Sequence, residues 1–381
     1  MTKLFFASVY FQFFTTGFFV ILIGALLPEI ISDFELSYDM AGMLLSLKAI
    51  GNVTALVVGG YLSDIFGRKA VLITAALMIG VGMTAVAITS VTILLYVMIF
   101  IAGCGWGIGN LANGVVSDKT NGSTSHLNRL HMNFAIGALI APFFVIFTSG
   151  LGLSWRFAAG ISGIFGIIAA VLILLGLNDI SAKKELTDCS HTATPAFKQI
   201  RYYVFCGILF IYVAVETVMN GWITTYFQGT GILTRTEANI VLSLVWVSIL
   251  IGRVIASLIG ERVKKENLVF ICTVIVLFAA FTLMRADSFI FVSLCAFIVG
   301  FGLSAICPTA IANAAKIIKG SGLAIGIMLA SAGLGAAFGP AVTGAVAEYA
   351  GLGISMWVSV GFAAILFILA VVNIIFGKLK T

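Results

Sequence analysis

Charge is scarce in this sequence. Only 9% of its 381 residues are Asp, Glu, Lys or Arg, where a soluble domain carries roughly 25%. That shortage excludes an ordinary cytosolic or secreted globular protein. Disorder is excluded from the other side, because 61% of the chain is hydrophobic and 31 residues are Phe. Histidine is rarer still: the three, His126, His131 and His191, show no metal-ligand spacing with one another or with cysteine. No GxxxxGK[ST] phosphate loop is present, so ATP is not the energy source. Gly105-x-Gly107-x-Gly109 is no nucleotide fingerprint, since no strand precedes it. An intramembrane enzyme would need a Ser–His, paired-Asp or metal cluster inside its apolar runs, and none is there. The sequence therefore reads as a non-enzyme with no cofactor. Five of the six cysteines (104, 206, 272, 295 and 307) lie in apolar stretches, where Cys behaves as a small hydrophobe. Only Cys189 is in a polar segment, and no structural disulfide is expected.

What the chain has in abundance is long apolar runs. A helical span of a bilayer needs about 20 such residues. Twelve runs qualify, at roughly 4–28, 40–62, 70–89, 92–116, 131–150, 155–177, 202–227, 238–259, 267–284, 288–312, 322–346 and 354–377. They are apolar all round, which excludes the alternating pattern of a β-barrel. The first run has no small-residue cleavage site after it, so it reads as a retained span. The net charge of +6 is not a nucleic-acid signal. With the N-terminus placed inside, 16 of the 21 Lys and Arg fall in cytoplasmic segments. Arg156, Arg235 and Arg285 fall in outer loops, and Lys48 and Arg253 lie within spans. The expectation is a multi-pass protein of the cytoplasmic membrane with both termini inside.

The longest polar segment, 178–201, divides the spans six and six. The expected organisation is a bundle over 1–177, a cytoplasmic linker over 178–201 and a second bundle over 202–381. The two halves echo each other. Leu45-Ser46-Leu47 recurs as Leu242-Ser243-Leu244, and Phe100-Ile101-x-Gly103-x-Gly105 as Phe297-Ile298-x-Gly300-x-Gly302, both shifted by 197. Asp64 and Glu261 share that shift, and Gly137-x4-Pro142 recurs as Gly335-x4-Pro340 at 198. Even numbers of spans give both copies the same topology. Parallel six-helix repeats are a recognised transporter plan. The predicted fold is an all-α membrane protein of two such repeats.

The stretch Gly60-Tyr-Leu62-Ser-Asp64-Ile-Phe-Gly67-Arg68-Lys69 follows span 2 and enters span 3. It resembles the G-x-L-x-D-x-x-G-R-K signature of the major facilitator superfamily, and with the repeats the resemblance covers the whole chain. It implies twelve helices, transport by alternating access, and a conformational latch made of Gly60, Asp64, Gly67, Arg68 and Lys69. The physics of the motif is local. Asp64 ends a helix where a carboxylate can face the positive N-terminal end of a neighbouring helix, Gly67 permits a tight turn, and Arg68 and Lys69 hold the loop inside. A narrower resemblance is to the fucose-permease-like sugar symporters. It rests on Tyr212-x3-Glu216-x5-Trp222-x3-Tyr226, on Trp246 with Gly252-Arg253, and on Gly300-x-Gly302 with Pro308-Thr309. Ser125-x-Leu127-Asn128 and Gly137-Ala138-Leu139 also fit. The chain departs from that branch in having no midspan carboxylate in span 1 and in carrying Lys48.

Ionised groups near a bilayer centre are costly and must face a cavity or a partner. Glu216 lies near the middle of span 7, with Tyr212 at i−4 and Asn220 at i+4 on one face. That face could hydrogen-bond sugar hydroxyls, let Glu216 carry a proton, or tie to a neighbouring helix. Lys48 lies about 12 Å into span 2. It attracts an anionic solute, pairs with an acid such as Glu216, or snorkels outward. Span 4 offers Trp106, Asn110 and Asn113 at i, i+4 and i+7, suited to ring stacking and paired hydrogen bonds or to helix–helix contact. Gln12 with Thr16, Asn133 and Trp246 are further candidates. Glu29 and His131 read as surface residues. Gly333-x-Gly335-x3-Gly339-Pro340-x3-Gly344 resembles the motif of drug and proton antiporters, but it sits in span 11 rather than span 5, and close packing accounts for it. The functional expectation is a secondary transporter that takes up a small polar solute, a sugar foremost, by proton or sodium symport and acts as a monomer. The alternative is proton-coupled efflux of drug-like or organic-ion compounds.

Overall fold

The computed structural model of the chain describes residues 3–120, 124–176, 195–259, 262–318 and 322–378. Cys189, His191, Glu261 and most of the 178–201 segment lie outside them. The chain divides into two units, Met1–Leu186 and Thr187–Thr381. Every long element among the described residues is helical. Unit 1 comprises α1 (Lys3–Ala25), α2 (Leu27–Asp33), α3 (Tyr38–Phe66), α4 (Arg68–Ile88), α5 (Thr92–Gly109), α6 (Ala112–Lys119), α7 (Thr124–Gly150) and α8 (Trp155–Gly176). Unit 2 comprises α9 (Ile200–Gly229), α10 (Arg235–Ile259), α11 (Lys265–Leu283), α12 (Phe289–Leu303), α13 (Ile306–Ile318), α14 (Gly322–Ala350), α15 (Leu352–Ser355) and α16 (Trp357–Lys378). Among the described residues, eleven helices or helix runs are long and apolar enough to cross a bilayer, and α3, bent by 45° at Leu56–Val58, makes twelve.

The helix pairs repeat between units. α1 packs on α7, α3 and α4 on α5, and α4 on α8; in unit 2, α9 packs on α14, α10 and α11 on α12, and α11 on α16. Glycines set the spacing, because small residues let membrane helices approach backbone to backbone. A Cβ on Gly105 would stand 2.5 Å from the Ala75 carbonyl oxygen, and one on Gly103 would overlap that of Lys48. Their counterparts Gly302 and Gly300 face Cys272 and Val245, at 3.2 and 2.6 Å from the carbonyl oxygens. All four relationships carry the same shift of 197. The sequence echo is thus a repeated close contact.

Two spans are broken rather than continuous. α5 gives way to α6 through Asn110 and Leu111, and α12 to α13 through Ser304 and Ala305. Pro308 fits the second break: it has no N–H for the Ser304 carbonyl four residues back, and it stands in the first turn of α13, where that N–H is not needed.

At the end of unit 1 away from Gly67, Arg156 ties three helix ends together. It pairs with Asp33 at 2.8 Å and donates to the carbonyls of Ala87 (3.3 Å) and Thr89. Its guanidinium lies 4.8 Å from the Trp155 ring centroid, and the Trp155 indole also donates to Asp33. A cation is well placed there, at the carbonyl end of α4. Arg156→Ala is expected to destabilise unit 1 by about 2 kcal/mol, the scale of hydrogen bonds to a charged group. Thermal unfolding in detergent checks this; an unchanged midpoint would mean the cluster is ornamental.

Candidate functional site

In unit 2 the site is built on α9 and its antiparallel neighbour α10. Tyr212, Glu216, Asn220, Thr224 and Gln228 follow one another at steps of four, each beside the next, in a polar ridge that winds around α9. The Tyr212 hydroxyl pairs with the Glu216 carboxylate, and the Arg253 guanidinium of α10 supplies positive charge to it. Cys307, in the first turn of α13, lies within reach of the same charge. Further along, Asn220 Oδ1, Thr225 Oγ1 and Gln228 Nε2 are buried with no hydrogen-bond partner among the described residues. On α10, Asn239, Ser243 and Trp246 recur at i, i+4 and i+7. Asn239 is fully buried. Its amide donates to the Arg235 carbonyl at 3.0 Å, yet its Oδ1 and the Ser243 hydroxyl have no partner. Each such atom costs about 1–3 kcal/mol. Five such atoms lie on this one helical hairpin, unsatisfied among the described residues.

α14 braces this hairpin. Gly339 meets the Ala214 carbonyl at 2.6 Å from where a Cβ would be, Gly335 fits against Phe210, and the Trp222 indole donates to the Pro340 carbonyl at 3.3 Å. The glycine-proline run of span 11 is therefore packing, as its sequence position indicated.

Unit 1 holds a second polar set where α1, α3 and α5 meet. Gln12 is 1% exposed and neither of its amide atoms has a partner among the described residues. It lies against the α5 break: a Cβ on Gly109 would stand 3.2 Å from Gln12 Nε2. Thr16 turns its hydroxyl back to the Gln12 carbonyl at 2.9 Å. Lys48 is 9% exposed, and its ammonium donates to the Val20 carbonyl at 2.8 Å. It does not snorkel. Asn52, one turn further along α3, has a buried amide nitrogen with no partner.

Other expectations need correction. Trp106 lies on α5, Asn110 in the two-residue interruption and Asn113 on α6, with Asn110 and Leu111 both in right-handed helical conformation. The Asn113 amide bridges the break, donating to the Asn110 carbonyl at 3.1 Å. Trp106 is half-buried on α5. Asn133 donates to the Arg129 carbonyl of its own helix at 2.8 Å. Glu29 is half-buried within α2 rather than on the surface. In the loop motif, Gly67 is the single residue between α3 and α4, at φ 80°, where only glycine is at ease. Gly60, the first residue of the motif, lies within α3, and Arg68 and Lys69 open α4. Asp64 is exposed in the last turn of α3 and has no ion pair or hydrogen bond among the described residues.

The family model of the Major Facilitator Superfamily matches residues 9–232 and 204–376. The chain belongs to the major facilitator superfamily. It has the apolar helices of a multi-pass membrane protein, in a superfamily of transporters whose members are not enzymes. Among curated superfamily relatives, the arabinose-proton symporter of Bacillus subtilis (strain 168) is 28% identical over 157 residues, covering 38% of this chain and 32% of the relative. The class C tetracycline resistance protein of Escherichia coli is 30% identical over 126 residues, covering 32% of each. The chain thus matches about a third of the length of these relatives. The crystal structure of the nucleoside transporter NupG superposes with a TM-score of 0.77 over 99% of this chain and 100% of that one, at 16% identity. At that identity the likeness is one of fold.

Proposed function

We propose that this superfamily member is a secondary active transporter that takes up a small polar solute, a sugar foremost, by alternating access and proton symport. The observation that carries the reading is the α9–α10 surface. It joins a carboxylate backed by a phenol and a guanidinium to unpartnered amide and hydroxyl atoms on the same hairpin. Amides and hydroxyls both give and accept hydrogen bonds, as a polyol requires. The carboxylate is the group there whose chemistry allows it to carry a proton, with the Tyr212 hydroxyl and the Arg253 guanidinium beside it.

The resemblance to fucose-permease-like symporters and the match to the arabinose-proton symporter support this reading. The match to a tetracycline resistance protein supports efflux of drug-like compounds instead, but such solutes would leave the α9–α10 atoms unsatisfied. Lys and Arg placement supports an inner-membrane protein with both termini in the cytoplasm, and the presence of two compact units in one chain supports action as a monomer. Asp64 sits at the carbonyl end of α3, where its charge is unfavourable. An exposed carboxylate at that unfavourable place supports a latch role in one access state, with Gly60, Gly67, Arg68 and Lys69 shaping the turn.

The test is uptake of monosaccharides into proteoliposomes under a pH gradient, a sodium gradient, or neither. Accumulation under the pH gradient alone is expected, with Asp64→Asn slowing uptake while leaving solute binding unchanged. Sodium dependence would replace the coupling ion. Extrusion of lipophilic cations with no sugar accumulation would overturn the reading in favour of efflux.

A further inference from the structure

Unit 1 contains a buried amine, Lys48, with no carboxylate partner among the described residues. Lys48 is nine-tenths buried and about 15 Å along α3 from Tyr38. Of its three N–H donors, one reaches the Val20 carbonyl, and no carboxylate among the described residues pairs with it. A backbone carbonyl carries only a partial charge, so a buried cation held this way lacks its counter-ion. A second observation points the same way. Asn52 lies at i+4 from Lys48 on α3, and its buried amide nitrogen also has no acceptor. Two donor groups one turn apart, both short of acceptors, make a surface that calls for negatively charged oxygens.

The surrounding backbone fixes this pair. Gly103 and Gly107 of α5 fit against the Lys48 and Asn52 backbone, so α3 is held at both turns. Gln12, buried and unpartnered at both amide atoms, lies at the Gly109 end of the same helix. The repeat adds an independent hint. Phe14 corresponds to Phe210 through their matched glycines, an offset of 196, and the same offset relates Val20 to Glu216. Lys48 thus places its charge at the carbonyl of the residue that corresponds to the acid of unit 2.

We propose that Lys48 and Asn52 bind the carboxylate of the transported solute, which makes the substrate class a sugar acid or similar hydroxy-carboxylate rather than a neutral sugar. This rests on the symport reading above and narrows its substrate. One ammonium balances one negative charge, so a carboxylate fits and a phosphate dianion does not. The Lys48 N–H groups and the Asn52 amide donate to the carboxylate oxygens, and Gln12 is free to meet hydroxyls.

The experiment uses the full chain in nanodiscs and isothermal titration with matched sets: glucose, glucuronate and glucose 6-phosphate, then galactose and galacturonate. Each uronate is expected to bind about tenfold or more tighter than its neutral parent, the effect of one added charge-assisted contact. Lys48→Met should erase that preference, Lys48→Arg should retain part of it, and Asn52→Ala should weaken the uronates only. The arginine and alanine variants keep the test decisive should the methionine variant fail to fold. Equal or tighter binding of neutral sugars, preference for the phosphate ester, indifference to Lys48, or no binding of any of the set overturns the proposal. Uptake separates the two readings. If neutral glucose or galactose accumulates under the pH gradient, the symport reading stands and the carboxylate assignment falls. If none of these solutes accumulates or binds, both fall.

Discussion

Glu216→Gln is expected to end concentrative uptake while preserving exchange of solute across the membrane. The glutamine matches the shape of the glutamate and still accepts from the Tyr212 hydroxyl, but it can neither bind nor release a proton. With one proton per solute, each unit of pH difference supports about tenfold accumulation, since one such unit equals 1.36 kcal/mol. The variant should therefore fall from about tenfold accumulation to equal concentrations inside and out. Counterflow, in which preloaded unlabelled solute drives entry of label, needs binding and reorientation but no proton. It should persist in the variant. Accumulation that survives the substitution would remove Glu216 from coupling and leave it as a hydrogen-bonding group. Loss of counterflow together with accumulation would show that Arg253, deprived of its counter-charge, now obstructs the site. Glu216→Asp, which keeps the acid on a shorter arm, is expected to recover part of the accumulation and separates those cases.

Much of this architecture was legible in the sequence because membrane physics writes it there plainly. Apolar runs of span length, the divide at 178–201 and the Lys and Arg bias follow from solvation alone. The shift of 197 between Gly103 and Gly300 was legible as a repeat, and its cause, a carbonyl packed where a Cβ would be, was not. The break after Gly109 was hidden for another reason. Trp106, Asn110 and Asn113 fit helical spacing, and span 4 contains no proline to signal an interruption. Span 10 did carry that signal in Pro308. In the site, Tyr212, Glu216 and Asn220 stood out because polar groups at midspan are expensive. Thr225, Gln228, Asn239 and Ser243 did not, since polar residues near span ends are ordinary. The clue available was spacing: the steps of four from Tyr212 continue to Gln228, and Asn239, Ser243 and Trp246 keep one face of the next helix. Asn52 was passed over beside Lys48, although i and i+4 already placed them together.

The largest structural effect is expected at Gly335. Its Cα hydrogen occupies the space where any side chain would run into the Phe210 carbonyl oxygen of α9. That contact belongs to a seam in which the Tyr202 hydroxyl donates to the Ala324 carbonyl at 2.8 Å, Ser331 to that of Cys206 at 3.1 Å, and Trp222 to that of Pro340 at 3.3 Å. Gly335→Val would force α14 off α9 and lengthen all three bonds together. Overpacking of a close interior contact costs about 1–3 kcal/mol and sometimes more, and here the obstructing atom is backbone, which cannot rotate aside. A loss of about 3 kcal/mol or more is therefore expected, read as a lowered unfolding temperature and a shift towards aggregate in size exclusion. Gly137→Val should do the same in unit 1, where the Phe14 carbonyl fills the corresponding place. Gly326→Ala lies on α14 with nothing within 4 Å of its added methyl and should be tolerated. If Gly335→Val were as stable as Gly326→Ala, α14 would not press on α9 at this turn. The positioning of Tyr212 and Glu216, which stand two and six residues beyond Phe210, would then need another support.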